Sequence, residues 1–568
     1  MEKALKIKLI VSTLLICVVI TVLALALVNK YTPSETMRTL DNYYDVASDE
    51  AVVLFENEIY GERALLKEGG IYLSYNTVDS LLNDGFFLDE AEQTLIYTLP
   101  EEVIRAEVGQ SFYYSNNEVV KLPCPAILSL DGVYYLSLDF TQMVSDMTYE
   151  FFENPNRVLI HHKWIDFLYY DTILADTPIR FEPDIKSDIL RLAPAGEKLY
   201  YIGGTGTGGR SFIKVMTQDG IFGYVQKKYL GESYYDARQS VYTEPEYTHI
   251  TMEEKVVLGW HMVTGEKANL QLEQLAEKAK GMNVISPTWY RLTDTEGNFS
   301  SLASEEYVQK AHDMGLQVWA LIDNFDQSVS TYDLFSSSAA RATLIDNMMA
   351  EAEKYGFDGW NLDFETMLSK TGPYYIQFIK ELSVRCRQAG VILSVDNYVP
   401  APYNAFYDLE SQGKVVDYVI IMAYDEHYSG SAEAGSVASL GFLKDAVNNT
   451  LAMMPKERIV MAVPFYTRIW KEQDINGEHS LISEVQLMKG IDEFLKLNGL
   501  TPEWDEATGQ NYVEFVQDGV INKAWLEDLD SLQERLKVIR GADVSGIACW
   551  RLDSEPEEVW PIIDAYMN

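Results

Sequence analysis

The stretch Gly356-Phe357-Asp358-Gly359-Trp360-Asn361-Leu362-Asp363-Phe364-Glu365 reads as one short strand with chemistry on one side of it. Side chains two apart on a strand share a face, so Asn361, Asp363 and Glu365 point the same way. Helical patterns flank it, from Ala342 to Tyr355 and from Tyr375 to Ala389. Outward from it, apolar strand-like runs alternate with amphipathic helical stretches, the pattern of a parallel sheet. Candidate strands begin near Val256, Val284, Val318, Asp358, Val391, Tyr418, Ile459 and Gly546. Eight such units predict a C-terminal (β/α)₈ barrel over 255–568, with an insertion from about Lys471 to Arg540 between strands seven and eight.

In that fold Asn361, Asp363 and Glu365 face the barrel interior, and Glu365 comes last, at the C-terminal mouth where active sites of barrels sit. Acidic side chains inside a barrel are costly unless paired or functional. A buried carboxyl beside a carboxylate has the raised pKa of a general acid.

The segment resembles the signature of glycoside hydrolase family 18, the chitinase-like enzymes. Its four acidic positions are spaced as Asp358, Asn361, Asp363 and Glu365 are here, with Asn at the second. Met422-Ala423-Tyr424-Asp425 on strand six is similar to the family's Met-X-Tyr-Asp segment, and Trp550 on strand eight to the tryptophan under the cleavage-site sugar. Ser286-Pro287-Thr288-Trp289-Tyr290, Pro464-Phe465-Tyr466 and Trp525-Leu526-Glu527-Asp528 resemble the bacterial spore-cortex and peptidoglycan N-acetylglucosaminidase branch. The resemblance implies substrate-assisted hydrolysis, an exception to the two-carboxyl rule of most glycosidases. Glu365 would be the acid/base, Asp363 would hold the substrate's acetamido N–H, and Tyr424 the acetamido oxygen. Trp550 would form the sugar's floor, with Asp425, Asn361, Asp358, Trp289 and Tyr466 as further substrate-binding positions. Tyr290, Tyr398, Trp470 and His427 also lie near strand ends, where an aromatic serves either the core or a sugar groove. Because Asn361 cannot ionise, Asp363 is expected to have no like-charge neighbour in its own strand beyond Glu365, and to ionise at lower pH.

Ahead of the barrel an internal repeat runs through 50–170. Gly70-Ile71-Tyr72-Leu73-Ser74 recurs as Gly132-Val133-Tyr134-Tyr135-Leu136-Ser137. Each copy reads as strand, short helix, turn and strand, and loosely resembles the small α+β domains related to the N-terminal domain of copper amine oxidases. No copper ligands accompany it, and a spacer or wall-contact role follows. Residues 171–232 change to short strands with glycine turns, including Gly203 to Gly209 and the hairpin Asp219 to Val225. They resemble a bacterial Src-homology-3-like barrel, a module that either contacts wall peptides or spaces domains. A linker, 233–254, follows. The fold class is therefore multidomain: a TIM barrel preceded by a small β-barrel, an α+β repeat region and an N-terminal transmembrane helix.

The chain has 568 residues and a formal net charge of -41, which argues against nucleic acid. The four cysteines show no paired spacing, so neither a disulfide framework nor a metal cluster is expected, and no cofactor is implied. The expected partners are an N-acetylated glycan polymer, peptidoglycan or chitin, and the membrane. A non-catalytic glycan-binding wall protein is the reading from another class, and the presence of Glu365 and Asp363 argues against it.

Leu9 to Val28 carries no charge and is long enough to span a bilayer, while Lys3, Lys6 and Lys8 precede it. This makes 1–30 a cytoplasmic tip and transmembrane anchor and 31–49 an outer stalk, placing the bulk of the chain outside the cell. A cleaved signal is the competing reading, with Ala24-Leu25-Ala26 as its site. Intact protein is expected in the membrane fraction, with protease added outside the cell degrading everything beyond the stalk. Recovery of only a soluble form beginning near Leu27 would show a cleaved signal instead.

Overall fold

The computed structural model describes residues 1–164, 168–202, 211–236, 238–475 and 478–567. The chain divides into two compact units, Met1–Phe86 with Arg105–Glu244, and Phe87–Ile104 with Pro245–Asn568.

In the second unit eight parallel strands close on themselves. They are β1 (Val256–His261), β2 (Val284–Leu292), β3 (Gln317–Asp323), β4 (Gly359–Asp363), β5 (Ile392–Tyr398), β6 (Tyr418–Met422), β7 (Ile459–Pro464) and β8 (Gly546–Trp550). Each pairs with the next, and β8 returns to β1 with Val256 opposite Gly546. Strand alternation sorts the side chains into two layers. Val256, Leu258, Trp319, Leu321, Ile392, Tyr418, Ile420, Val460 and Ala548 fill the interior. Their sequence neighbours Val257, Val318, Ala320, Leu393, Val419, Ile421 and Ile547 face the helices instead. Gly359 keeps the interior passable, since a Cβ there would lie 3.0 Å from both Ile392 and the Trp319 ring. The freed Trp319 stacks on Tyr418 at 5.2 Å.

The segment before β1 seals the bottom of the barrel. The Ile250 N–H donates to Asp417 Oδ1 at 2.7 Å and the Met252 N–H to the Tyr418 hydroxyl at 2.7 Å. Residues Phe87–Ile104, which the repeat places in its first copy, belong to this unit. Gln377 Nε2 donates to Thr98 Oγ1 at 3.3 Å and Arg387 Nη1 to the Pro100 carbonyl at 2.6 Å.

The insertion between β7 and β8 begins earlier than Lys471. Tyr466–Ile475, Glu478–Leu487, Glu503–Asp505, Gln510–Gln517 and Val520–Leu526 form a five-stranded antiparallel sheet. The helix Leu529–Ala542 that follows is a barrel helix, capped by Asp528, which accepts from the Ser531 N–H at 3.0 Å. Glu527, buried and pushed up to about 8 by desolvation, is paired to Arg535 at 2.5 Å and takes a hydrogen bond from Gln510 at 2.7 Å. The Trp525 to Asp528 string therefore ties sheet to helix and is not among the residues that line the cavity at the barrel mouth.

In the first unit, the repeated strands Gly70–Ser74 and Val133–Ser137 pair antiparallel, with Leu73 opposite Leu136. Each runs into a short helix capped by its own serine, Ser74 accepting from Thr77 N and Ser137 from Phe140 N. A second sheet of seven strands spans Leu168–Ile173 to Leu230–Asp236 and contains the expected hairpin, Phe212–Thr217 against Phe222–Gln226. The Gly203 to Gly209 loop lies outside the described residues. The helix Glu2–Tyr31 is uncovered by the rest of the chain, and its length and apolarity fit both an anchor and a signal sequence.

Barrel closure at Gly546 gives a direct test. A Cβ there would lie 2.1 Å from the Val256 carbonyl oxygen, which is held in the β1–β8 ladder. Gly546→Ala is expected to cost roughly 3 kcal/mol, the upper end for overpacking. Thermal unfolding of the barrel should fall accordingly; an unchanged midpoint would mean the ladder yields.

Candidate active site

The C-terminal ends of β1, β4, β5, β6 and β8 open on a cavity of about 630 Å³ lined by Trp260, Asp363, Glu365, Asp396, Tyr398, Tyr424, Asp425 and Trp550 among others. Glu365 is mostly enclosed. The Tyr398 hydroxyl donates to its Oε2 at 2.5 Å. Its backbone is clamped by one side chain at the end of β3: Asn324 Oδ1 accepts from the Glu365 N–H at 2.9 Å, and Asn324 Nδ2 donates to the Glu365 carbonyl at 2.6 Å. Burial pushes the Glu365 carboxyl up, while the Tyr398 hydrogen bond acts against it. This is the environment of a carboxyl that keeps a proton to give.

Asp363 is buried one strand step deeper, on the same face as Glu365. Its pKa is raised well above the usual carboxylate range, by desolvation first and then by Asp396, Glu365 and Asp323. Its own strand holds no like-charge neighbour beyond Glu365, as expected, but the expected early ionisation does not follow, because carboxyls on the neighbouring strands stand in. The like-charge neighbour that Asn361 removes from β4 stands on β5 instead, as Asp396.

Asn361 itself lies beneath the cavity with its amide fully used. Its Oδ1 accepts from Trp260 Nε1 at 2.9 Å and Ser286 Oγ at 3.1 Å, and its Nδ2 donates to Asp396 Oδ1 at 2.7 Å and Ser394 Oγ at 3.2 Å. Four protein partners leave nothing for a ligand, so Asn361 is a scaffold residue and not a substrate contact. Trp260, so oriented, meets Trp550 edge to face at 5.8 Å.

Two further sequence assignments are displaced. Asp358 precedes β4 at the bottom of the barrel, about 17 Å along the strand from Asp363 at ordinary strand rise. Its Oδ2 accepts from the Val318 N–H at 2.8 Å and pairs with His312 Nε2 at 2.8 Å. Even-numbered where the inward residues are odd, it has the wrong parity as well. Trp289 belongs to the layer between strands and helices, donating to Asn269 at 2.9 Å and packing on Tyr307 at 5.0 Å. A register shift in β2 between Thr288 and Tyr290 breaks the alternation there.

Asp425 and Tyr424 line the cavity at the end of β6. Asp425 has a positive φ of 56° and accepts from the Tyr466 hydroxyl at 2.6 Å. Tyr466 thus reaches the site through Asp425, with its ring 6.5 Å from that of Tyr424. Trp470 and His427 serve packing: Trp470 Nε1 donates to the Gly435 carbonyl at 2.7 Å, and His427 Nδ1 meets the Ser436 carbonyl at 2.9 Å. Around the mouth stand Phe325, Tyr403 and Tyr428, exposed by 39%, 80% and 55%, which makes them surface aromatics and not core.

Sequence reasoning missed Asp396 and Asn324. Asp396 was legible by the rule used on β4, because Ile392, Ser394, Asp396 and Tyr398 share a face. Asn324 gives no such signal, since its role is a backbone clamp across two strands.

Comparison with known proteins bears on the family and the fold. The profile of the glycosyl hydrolases family 18 matches residues 222–555. An uncharacterized glycosylase, YvbX, of Bacillus subtilis is 24% identical over 298 residues, 50% of this chain and 84% of that protein. The putative sporulation-specific glycosylase YdhD of the same organism is 26% identical over 39% of this chain and 53% of its own length. The cortical fragment-lytic enzyme of Bacillus anthracis is 25% identical over 43% of this chain and 58% of its own. Among solved structures, the C-terminal domain of a putative chitinase from Desulfitobacterium hafniense superposes with a TM-score of 0.51 at 20% identity, covering 56% of this chain and all of that one. The Bacillus cereus spore cortex-lytic enzyme SleL gives 0.50 at 17% identity, covering 59% and 79%. With the profile spanning more than half of its length, the chain belongs to glycosyl hydrolase family 18.

Proposed function

We propose that the protein cleaves β-1,4 linkages after N-acetylglucosamine in cell-wall peptidoglycan, by retaining, substrate-assisted catalysis. The observation that carries this reading is Glu365: a clamped, enclosed carboxyl at the barrel mouth, sharing one cavity with Asp363, Tyr424 and Trp550.

In this reading Glu365 protonates the glycosidic oxygen while the sugar's own acetamido oxygen attacks the anomeric carbon. The oxazolinium intermediate carries positive charge, which Asp363 offsets while accepting the acetamido N–H. Tyr424 donates its hydroxyl to the acetamido oxygen. Glu365, now a carboxylate, takes a proton from the water that opens the intermediate, so configuration is retained. Trp550, beside Trp260, gives the sugar an apolar floor.

No Lys, Arg or His lines the cavity among the described residues, which suits a neutral N-acetylglucosamine better than an anionic lactyl-bearing sugar at the cleaved position. The relatives named for cortical fragment lysis favour peptidoglycan over chitin. An apolar helix at Glu2–Tyr31 acting as an anchor would hold the barrel beside the wall, and residues 171–232, read as a small barrel, would contact wall peptides. Chitin is the alternative substrate on the same chemistry, and product mass spectrometry on purified peptidoglycan beside chitin oligosaccharides separates the two.

Glu365→Gln is expected to keep the fold and ligand binding and to lose about 10²–10⁴-fold in turnover, the worth of general acid catalysis. De-N-acetylated glycan should resist cleavage; equal cleavage of both polymers would point to a second protein carboxyl as nucleophile.

Tyr398→Phe tests the environment of the acid. The Tyr398 hydroxyl favours the carboxylate form of Glu365, so its loss raises the Glu365 pKa. Since the acid acts protonated, the basic limb of kcat/KM should move to higher pH. A basic limb moving lower would show that the hydroxyl serves the protonated form.

A further inference from the structure

Asp323 on β3, Asp363 on β4 and Asp396 on β5 stand in one row across the barrel. Asp323 is opposite Asp363, and Asp363 lies one step beyond the paired Leu362 and Val395. Neighbouring strands are about 4.8 Å apart, so the inward carboxyls of such a row are adjacent, and Asp396 and Asp323 both act electrostatically on Asp363. Asp323 is neutralised, with Arg291 Nε and Nη2 donating to its two oxygens at 2.7 and 3.0 Å. Among the described residues no such cation pairs with Asp363 or Asp396, and both are buried, at 5% and 3% exposure.

The groups facing this pair give it no counter-charge. From β4 comes Glu365, and Asn361 below is neutral. Tyr398 stands on β5, Tyr424 and Asp425 at β6, and the phenols of Tyr375 and Tyr407 come from the outer layer. Two carboxyls side by side in such a place cannot both ionise. Between them they keep a proton. Asn361 decides where it rests: Nδ2 donates to Asp396 Oδ1 at 2.7 Å and so holds Asp396 as the acceptor. Asp363 Oδ1, by contrast, is buried without a hydrogen-bond partner in the free protein.

We infer that Asp396 is a positioning residue that shares one proton with Asp363, and takes that proton when a substrate acetamido N–H arrives at Asp363. The inference rests on the function proposed above. In the step an O–H bond breaks at Asp363 and one forms at Asp396, with no change in total charge. Asp363 becomes the anion that accepts the N–H and faces the oxazolinium, while Glu365 keeps its own proton for the glycosidic oxygen. The acid missing from position 361 is thus supplied from the neighbouring strand, with Asn361 as the neutral tie.

A test free of activity uses infrared difference spectroscopy at neutral pH in the Glu365→Gln background, where the carboxyl of Glu365 is gone. Bands from other buried acids such as Glu527 are common to all the variants, so the spectrum of each double variant is subtracted from that of Glu365→Gln: with either Asp396→Asn or Asp363→Asn added, the difference should show the loss of one protonated-carboxyl carbonyl band. A flat difference in the carbonyl region for either double variant overturns the shared proton. A second test reads the reaction. Asp396→Asn should lower kcat about tenfold or more with KM within about twofold, as for a displaced catalytic group. The swap Asn361→Asp with Asp396→Asn, which returns the carboxylate to β4, should recover most of it, thermal unfolding verifying that both fold. Native kcat in Asp396→Asn, or a well-folded swap no better than Asp396→Asn, overturns the role in the reaction. Native turnover in Glu365→Gln would instead sink the proposed function, while the infrared result would still decide the shared proton.

Discussion

Carboxyl groups inside a closed barrel are the constraint around which the second unit is built. Desolvation favours their neutral forms, and the surroundings decide how each is satisfied. Asp323 has a bidentate arginine. Asp396 has the Asn361 amide, and among the described residues neither it nor Asp363 is paired with a cation. Glu365 has a tyrosine hydroxyl and a backbone clamp. Along β3, β4 and β5, the carboxyls that remain without a cation are those that open on the cavity.

This arrangement depends on apolar packing below it. Trp319 on Tyr418, with Val256, Leu258, Val460 and Ala548 around them, fills the interior as far as the Asn361 layer. Asn361 then divides the dry part of the barrel from the chemical part. Trp260 and Ser286 approach its carbonyl, and Ser394 and Asp396 its amino group, so three other strands are keyed to one side chain. A carboxylate there could not accept from Trp260 and also donate to Asp396. The asparagine and the β5 aspartate are therefore complementary, and each makes the other tolerable.

The insertion after β7 has a comparable logic on a larger scale. Its sheet brings Tyr466 to Asp425 at one end. At the other, Glu527, Arg535 and Gln510 form a buried network joining sheet and helix. A buried ion pair is weak evidence for stability, but it fixes how two elements meet. The exposed aromatics Phe325, Tyr403 and Tyr428 sit on the connections that follow β3, β5 and β6, where a rigid scaffold can hold variable contacts.

Sequence alone determined the barrel and the strand that bears Asp363 and Glu365, because both rest on local periodicity. The strand starts near Val256, Val284, Tyr418, Ile459 and Gly546 coincide with those observed, since apolar runs between helices report burial directly. Alternation likewise placed Asp363 and Glu365 together. What alternation within one strand cannot give is the neighbour across the ladder. Asp396 meets Asp363 only through the register of β4 on β5, and Asn324 finds Glu365 only through the closure of β3 on β4. Asp358 and Trp289 failed for the complementary reason: spacing in a motif does not tell top from bottom of a strand, and a shifted register turns an aromatic from the groove into the core. Which groups titrate together was likewise decided by tertiary structure, because electrostatic coupling acts through space between residues far apart in the chain.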